Sequence, residues 1–443
     1  MARVSPPGPE HEQLTRWARS QGVKINGVGP AKISGSGLGI VAQRRIEAGE
    51  ELVNVPASAL LTVNSIPRRF RALHEGITVH GLLASFLAFS GSKKSYCDPW
   101  AATWPSLTEF KESMPLLWSG KLSQMLDPDG KSGATHGYHE ASPFILPPAI
   151  GGRWQHMPSL LRVSEDVGLL NQQARKFGAD WNIVSRIFPD KVWEDYAYYW
   201  LIVNTRSFYF ELPDATNTPQ ADRMVMCPFV DYFNHNDHGC DVTFDQGGYT
   251  VISDRAYDVG QELQTSYGSH SNDVLLCEYG FILQSNLYDY VPLDDLIGEH
   301  MMSSKDTENL EAAGYLGNYT LSSEGVCFRT QVAIRSVTLN TQDWKKFMAG
   351  TFDETELSKS QAAAVLQREV LKLYEKEAEE ALQHLAKEQV HEISTRAEKR
   401  EIASKIPQYA TEVLLRRWKQ ILDLIHQAMK IHDTPYYHGL QPP

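Results

Sequence analysis

Cysteine is scarce in this chain, with five in 443 residues: Cys97, Cys227, Cys240, Cys277 and Cys327. No two stand at a Cys-x-x-Cys spacing, which argues against a sequence-local zinc site. An odd, scattered set suits reduced thiols in an intracellular protein. Long apolar runs are missing as well. The best, Leu82–Phe89, is far too short to cross a bilayer, and the start, Met1-Ala2-Arg3-Val4-Ser5, lacks the apolar stretch of a secretory signal. Positive charge is not in excess: 42 basic against 54 acidic side chains leave a net charge of −12. That balance argues against a dominant nucleic-acid-binding surface and is compatible with a basic protein partner. Gly35, Gly37 and Gly39 are not followed by the Lys-Ser/Thr of a phosphate loop, and they lack the dinucleotide-binding spacing. His235 and His238, with Asp231, lack a further close ligand, so no metal is expected. The expectation is a soluble protein of the cytoplasm, the nucleus or both, with no membrane and no direct nucleic-acid partner. Its oligomeric state is left open, a monomer being compatible.

What is present is an ordinary globular composition, 42% apolar and 22% charged, in a chain long enough for two or three domains. Strand-like alternation runs from Ile33 to Thr62, opened by a glycine-rich loop at Ser34–Gly39 and turned at Ala48-Gly49-Glu50. Helical spacing follows from about Val79 to Asn204. Within it Trp181–Val203 is strongly aromatic, and Pro189 is expected to divide it into two helices. Segment Asp127–His156, rich in Gly, Pro, Ser and His, reads as an irregular loop. Strand character returns at Arg223–Phe233 and in Val242–Phe244 and Tyr249–Val251, which flank a hairpin turn at Gln246-Gly247-Gly248. Ser269–Glu278 predicts a short helix capped by Ser269 or Ser271, with Leu275 and Leu276 inward. Beyond Asp295 two apolar stripes predict core-facing helices. One runs through Val365, Leu366, Val370, Leu373, Tyr374, Ala378, Ala381, Leu382 and Leu385; the other through Val413, Leu414, Trp418, Ile421, Leu422, Ile425 and Met429. Two distant β-pieces too small to stand alone are expected to complete one sheet system.

The chemistry-bearing residues concentrate between Asn204 and Phe281. Asn234-His235 sets an amide and an imidazole side by side, able either to satisfy backbone groups or to grip a polar ligand. Tyr267-Gly268 and Tyr279-Gly280 each release a tyrosine into a turn, where it serves either as core or as a hydroxyl in a narrow channel. Arg206 follows an aromatic helix and calls for water, a paired acid or a ligand carboxylate.

Together these pieces resemble the SET-domain protein methyltransferases, in particular the split-SET group of the Rubisco and fungal ribosomal-protein lysine methyltransferases. The resemblance rests on the order of Gly37-Leu38-Gly39-Ile40-Val41-Ala42, Asn204-Thr205-Arg206-Ser207-Phe208, Asp231-Tyr232-Phe233-Asn234-His235, Tyr267-Gly268, Ser271-Asn272 and Glu278-Tyr279-Gly280-Phe281. It implies an α+β fold: a knotted, β-rich SET domain with a helical insertion, followed by an all-α substrate-binding domain. The boundaries would be 1–78 and 205–294 for the two SET parts, 79–204 for the insertion and 295–443 for the substrate domain. It also implies S-adenosylmethionine as cofactor, touching Ser36, Gly37, Leu38, Arg206, Asn234 and His235. The substrate lysine would pass Phe208, Asp231, Tyr267 and Tyr290, with Tyr279 as the catalytic hydroxyl. The implied activity is methyl transfer to lysine in a non-histone protein, a ribosomal protein among the candidates. A histidine methyltransferase and a non-catalytic SET-fold binding module are the alternatives. Ser36 and Asn236 depart from the family pattern, which often has an acidic residue and a serine there.

Overall fold

The computed structural model describes residues 4–35, 37–91, 97–118, 122, 126, 145–151, 168–212, 219–352, 357–397 and 407–432. Ser36 lies outside them, as does segment 127–156 apart from 145–151, of which Pro148–Gly151 form a helical turn. The chain forms two compact units, Met1–Phe110 with Arg175–Ser269, and Lys111–Ala174 with His270–Pro443.

The first unit is built on an eight-stranded sheet. Its strands are β1 (Val4–Ser5), β2 (Lys24–Ile25), β3 (Val28–Ile33), β4 (Gly37–Ala42), β5 (Glu51–Pro56), β8 (Asn234–Asp245), β9 (Gly248–Ile252) and β10 (Glu262–Thr265), in the order β1-β3-β4-β10-β8-β9-β5-β2. The later piece, β10-β8-β9, thus sits between β1-β3-β4 and β5-β2 of the earlier piece in one sheet, which satisfies backbone groups that neither piece could satisfy alone. The hairpin at Gln246-Gly247 is as expected, with Val242 opposite Val251 and Phe244 opposite Tyr249. Between β8 and β10 the pairing is parallel, and its register jumps from Gln264–Asn234 to Thr265–Cys240. A separate pair, β6 (Ser207–Tyr209) and β7 (Met224–Met226), covers only part of the strand expected at Arg223–Phe233. The rest of that stretch is a 3-10 turn, Val230–Tyr232, preceded by Phe229 at φ 71°. A left-handed phenylalanine costs about 1–3 kcal/mol; here the ring is fully buried, edge-on to Tyr232 at 5.8 Å.

Helices α1 (Pro9–Ser20), α2 (Val79–Phe89) and α4 (Trp193–Arg206) belong to this unit, and α3 (Leu169–Ile187) begins in the other. Pro189 separates α3 from α4 as expected, since its ring and missing N–H end a helix. At the expected boundaries, Val79 opens α2, whereas Asn204 lies inside α4, which runs on to Arg206. Helices α2 and α4 pack together inside the first unit: His80 stacks on Trp200 at 4.1 Å, and its Nε2–H donates to the Trp200 carbonyl at 2.9 Å. Buried Asp180 of α3 accepts from Thr78 Oγ1 at 2.9 Å and Trp200 Nε1 at 3.2 Å. Burial raises the pKa of its carboxyl.

The second unit is mainly helical: α5 (Asn272–Tyr279), α6 (Leu357–Ala397) and α7 (Gln408–His432), with shorter helices between. It also carries a three-stranded sheet, β11 (Tyr290–Pro292), β12 (Thr320–Ser322) and β13 (Gly325–Val326), which the helical reading of this region leaves out. The first apolar stripe is rotated relative to expectation. Ala363, Val370, Leu371, Tyr374, Ala378, Ala381 and Leu385 are buried, while Val365 is 57% and Leu373 38% exposed. On α7 the buried stripe is Val413, Leu414, Trp418, Ile421, Leu424, Ile425 and Ala428. Arg417 lies in that stripe with no exposed surface. Among the described residues no helix is long and apolar enough to cross a membrane.

Candidate functional site

In the first unit three pairs come together around the start of β8. Asn234 opens that strand, and its Nδ2 donates to the Leu38 carbonyl at 3.1 Å and to Glu262 Oε1 at 2.8 Å. Both amide hydrogens are therefore engaged, and the amide oxygen is what Asn234 can still offer a ligand. Gly39 makes this approach possible, because a Cβ there would sit 2.7 Å from Asn234 Nδ2 and 3.0 Å from Glu262 Oε1. Glu262 was not among the residues expected at the site. Gly37, which opens β4 with φ 76°, has open space among the described residues where a Cβ would stand.

His235 is buried, and its Nδ1 accepts the backbone N–H of Tyr267 at 3.0 Å. With Nδ1 an acceptor, the proton of the neutral ring sits on Nε2. The Tyr267 hydroxyl donates to the Phe233 carbonyl at 2.7 Å, and its ring lies 5.0 Å from the His235 ring. Tyr267 thus ties β10 to the segment leading into β8.

Arg206 ends α4, and of the three partners open to it, water, an acid or a ligand carboxylate, an acid is found inside the protein. Nη1 donates to Asp231 Oδ2 at 2.9 Å and to the Asp231 carbonyl at 3.2 Å. Trp100 Nε1 donates to the same Oδ2 at 2.9 Å. The Asp231 side chain is 1% exposed and that of Arg206 15%. Burial raises the pKa of the Asp231 carboxyl, against the opposing pull of Arg206. Asp231 Oδ1 is buried with no hydrogen-bond partner among the described residues. An orphaned carboxylate oxygen is costly unless something fills the gap, and a cationic or N–H-bearing ligand is the chemistry that would. Trp100 carries no sequence motif; only the buried acid it serves marks it.

Phe208 lies on β6, its ring edge-on to Tyr249 at 5.8 Å. Tyr279 and Tyr290 belong to the second unit. Tyr290 lies on β11, an edge strand, and is 40% exposed. Tyr279 is the last residue of α5, whose N-cap Ser271 accepts from the Val274 N–H and whose C-cap Gly280 is left-handed at φ 81°. A Cβ on Gly280 would meet Met114 Sδ and Ser113 Cβ at 3.0 Å. Burial, helped by Glu278, pushes the Tyr279 phenol up to about 12. It is a neutral hydroxyl at any working pH. Among the described residues no group of three or more His, Cys, Asp or Glu side chains is placed to hold a metal ion.

A family model described as the SET domain matches residues 37–268, and one described as the Ribosomal lysine N-methyltransferase 2 C-terminal domain matches residues 289–431. Ribosomal lysine N-methyltransferase set11 of Schizosaccharomyces pombe is 32% identical over 157 residues, covering 35% of this chain and 39% of that protein. Ribosomal lysine N-methyltransferase 2 of Saccharomyces cerevisiae is 26% identical over 282 residues, covering 58% of this chain and 55% of that protein. The matched regions thus span about two fifths and just over half of the lengths of these two relatives. Among solved structures, Rubisco LSMT bound to sinefungin and monomethyllysine aligns with a TM-score of 0.56 at 14% identity, over 96% of this chain and 92% of that one. At that identity the likeness concerns the fold. With its SET-domain match spanning more than half of the sequence, over strands that bring Leu38, Asn234, His235 and Tyr267 together, the chain belongs to the SET-domain family.

Proposed function

We propose that this protein transfers a methyl group from S-adenosylmethionine to the side-chain amine of a lysine in a ribosomal protein. What supports the reading most is the succession, in one chain, of a SET domain and a C-terminal domain of the ribosomal lysine methyltransferase type. The acidic net charge of −12 suits a basic protein substrate, and such a substrate is met in the cytoplasm or the nucleus.

The residues of the first unit fit the cofactor chemically. The Nη2 and Nε donors of Arg206 suit a carboxylate, and the Asn234 amide oxygen can accept an N–H; on the substrate side, the buried Asp231 Oδ1 is an acceptor for the lysine amine. In this reading Ser36, Gly37, Leu38, Arg206, Asn234 and His235 hold the cofactor, and Phe208, Asp231, Tyr267 and Tyr290 line the path of the lysine. When bound, S-adenosylmethionine supplies a sulfonium methyl group for direct displacement by a neutral amine.

The protein's own part is alignment and exclusion of water. The lysine ammonium, with a reference pKa of about 10.4, must reach the site without its proton, and cationic surroundings favour that loss. Arg206 keeps Asp231 oriented. Tyr279, neutral because of its raised pKa, orients the amine by hydrogen bonding rather than acting as a base.

Calorimetric titration with S-adenosylmethionine tests the cofactor assignment. Binding should be unchanged by a chelator, and Asn234→Ala should weaken it about tenfold by removing an oriented polar contact. Loss of binding on chelation would reject the metal-free site.

A further inference from the structure

The C-terminal helix α7 grips α5, the helix that ends in Tyr279, at both of its ends. At the beginning of α5, buried Arg417 donates from Nε to Asp273 Oδ1 at 2.7 Å, from Nη2 to Asp273 Oδ2 at 3.0 Å, and from Nη1 to Asp289 Oδ2 at 2.6 Å. Asp289 in turn accepts the Asn272 backbone N–H at 2.9 Å through Oδ1. At the other end the Tyr409 hydroxyl donates to the carbonyl of Gly280, the residue after Tyr279, at 3.2 Å. The spacing matches: eight residues on α7 and seven on α5 each span about 10–12 Å at 1.5 Å per residue. The two helices therefore run antiparallel. Gln420 extends the grip, accepting from Asn272 Nδ2 at 3.0 Å and donating to the Leu283 carbonyl at 2.8 Å. Tyr409, Arg417 and Gln420 recur at helical spacing, so one face of α7 provides all of these contacts.

We propose that α7 is a positioning element for Tyr279, acting through Tyr409 at the exit of α5 and through Arg417 and Gln420 at its entry. The proposal rests on Tyr279 being the catalytic hydroxyl. It gives the C-terminal domain a part in the methyl-transfer step, separate from any part in substrate docking. A helix end is where a backbone frays most easily, and Tyr279 sits at one. The Tyr409–Gly280 hydrogen bond and the tight seat of Gly280 against Met114 hold that end in register.

The test uses the full-length protein, an intact ribosomal protein and a short lysine peptide cut from it. Tyr409→Phe, which removes one hydroxyl and keeps the ring, should lower kcat about five- to tenfold on both substrates. Both KM values and the cofactor affinity should stay within about twofold. Gln420→Ala, on the same face, should show the same split and serves if the first variant does not fold. In a Tyr279→Phe background, Tyr409→Phe should cost nothing more, because the group it positions is gone. An unchanged kcat, a KM rise confined to the intact protein, or equal losses in both backgrounds would overturn the proposal. If Tyr279→Phe itself turns over normally, the catalytic assignment has failed and the proposal falls with it. If that variant is inactive while Tyr409→Phe is normal, only the positioning role has failed.

Discussion

Tyr279→Phe should lower methyl transfer by about 10²–10³-fold, equivalent to about 2.7–4 kcal/mol of transition-state stabilisation, as for the loss of one oriented donor in a closed site. Cofactor affinity should stay within a few-fold, because the residues assigned to it are Arg206, Asn234, His235 and the Gly37–Leu38 backbone. The substitution keeps the ring, so its packing near His270 and Phe281, with centroids 6.2 and 6.3 Å away, is preserved. The phenol is held neutral by burial, with its pKa up to about 12. The wild-type rate should therefore show no limb from this tyrosine until strongly alkaline pH, and single-turnover rates across pH would check this. Near-normal turnover by the variant would move the role elsewhere. Tyr267 is a poor substitute, since its hydroxyl is already donated to the Phe233 carbonyl.

The second large effect is on stability. Arg417→Met should destabilise the protein by about 3–5 kcal/mol, because it leaves two buried carboxylates without their cation. Asp273 has 2% and Asp289 10% of its side chain exposed, so water offers little relief. The pH dependence has a definite sign. Burial raises the Asp273 pKa, and Arg417 opposes that rise. Removing Arg417 raises the folded-state pKa further above its unfolded value. The penalty is then full at neutral pH and shrinks as the pH falls through the folded pKa and Asp273 takes up its proton. Replacing Asp273 and Asp289 by Asn in the same variant should restore much of the loss, since the neutral amides need no counter-charge. Urea denaturation at neutral and mildly acidic pH would measure both effects. A loss below about 1 kcal/mol at neutral pH would mean that the triad is not the lock it is drawn as.

Local pattern carried much of this structure. The β8–β9 hairpin follows from alternation around Gln246-Gly247-Gly248, the break at Pro189 from proline's missing donor, and α5 from Ser271 as an N-cap. Features that depend on distant partners were not legible. Strand β3 and helix α1 lie before the first motif, and the parallel pairing of β10 with β8 joins segments whose register no local rule specifies. Glu262 reads as one charge in an alternating strand until Asn234 is placed beside it. Arg417 reads as one of two adjacent arginines on an amphipathic helix, and only Asp273, 144 residues earlier, explains its burial. The exposed Val365 and Leu373 illustrate a related limit. Several apolar residues share more helix faces than one stripe can use, and tertiary packing chooses among them.

The activity proposed for this protein is lysine methylation of a ribosomal protein. Its most direct test is to incubate the purified full-length protein with isotopically labelled S-adenosylmethionine and ribosomal proteins from cells lacking it, then map the label by peptide mass spectrometry. Label on a defined lysine of a ribosomal protein, absent when Tyr279→Phe replaces the wild type, is the predicted result. Label on histidine, or cofactor binding without transfer to any ribosomal protein, would contradict it.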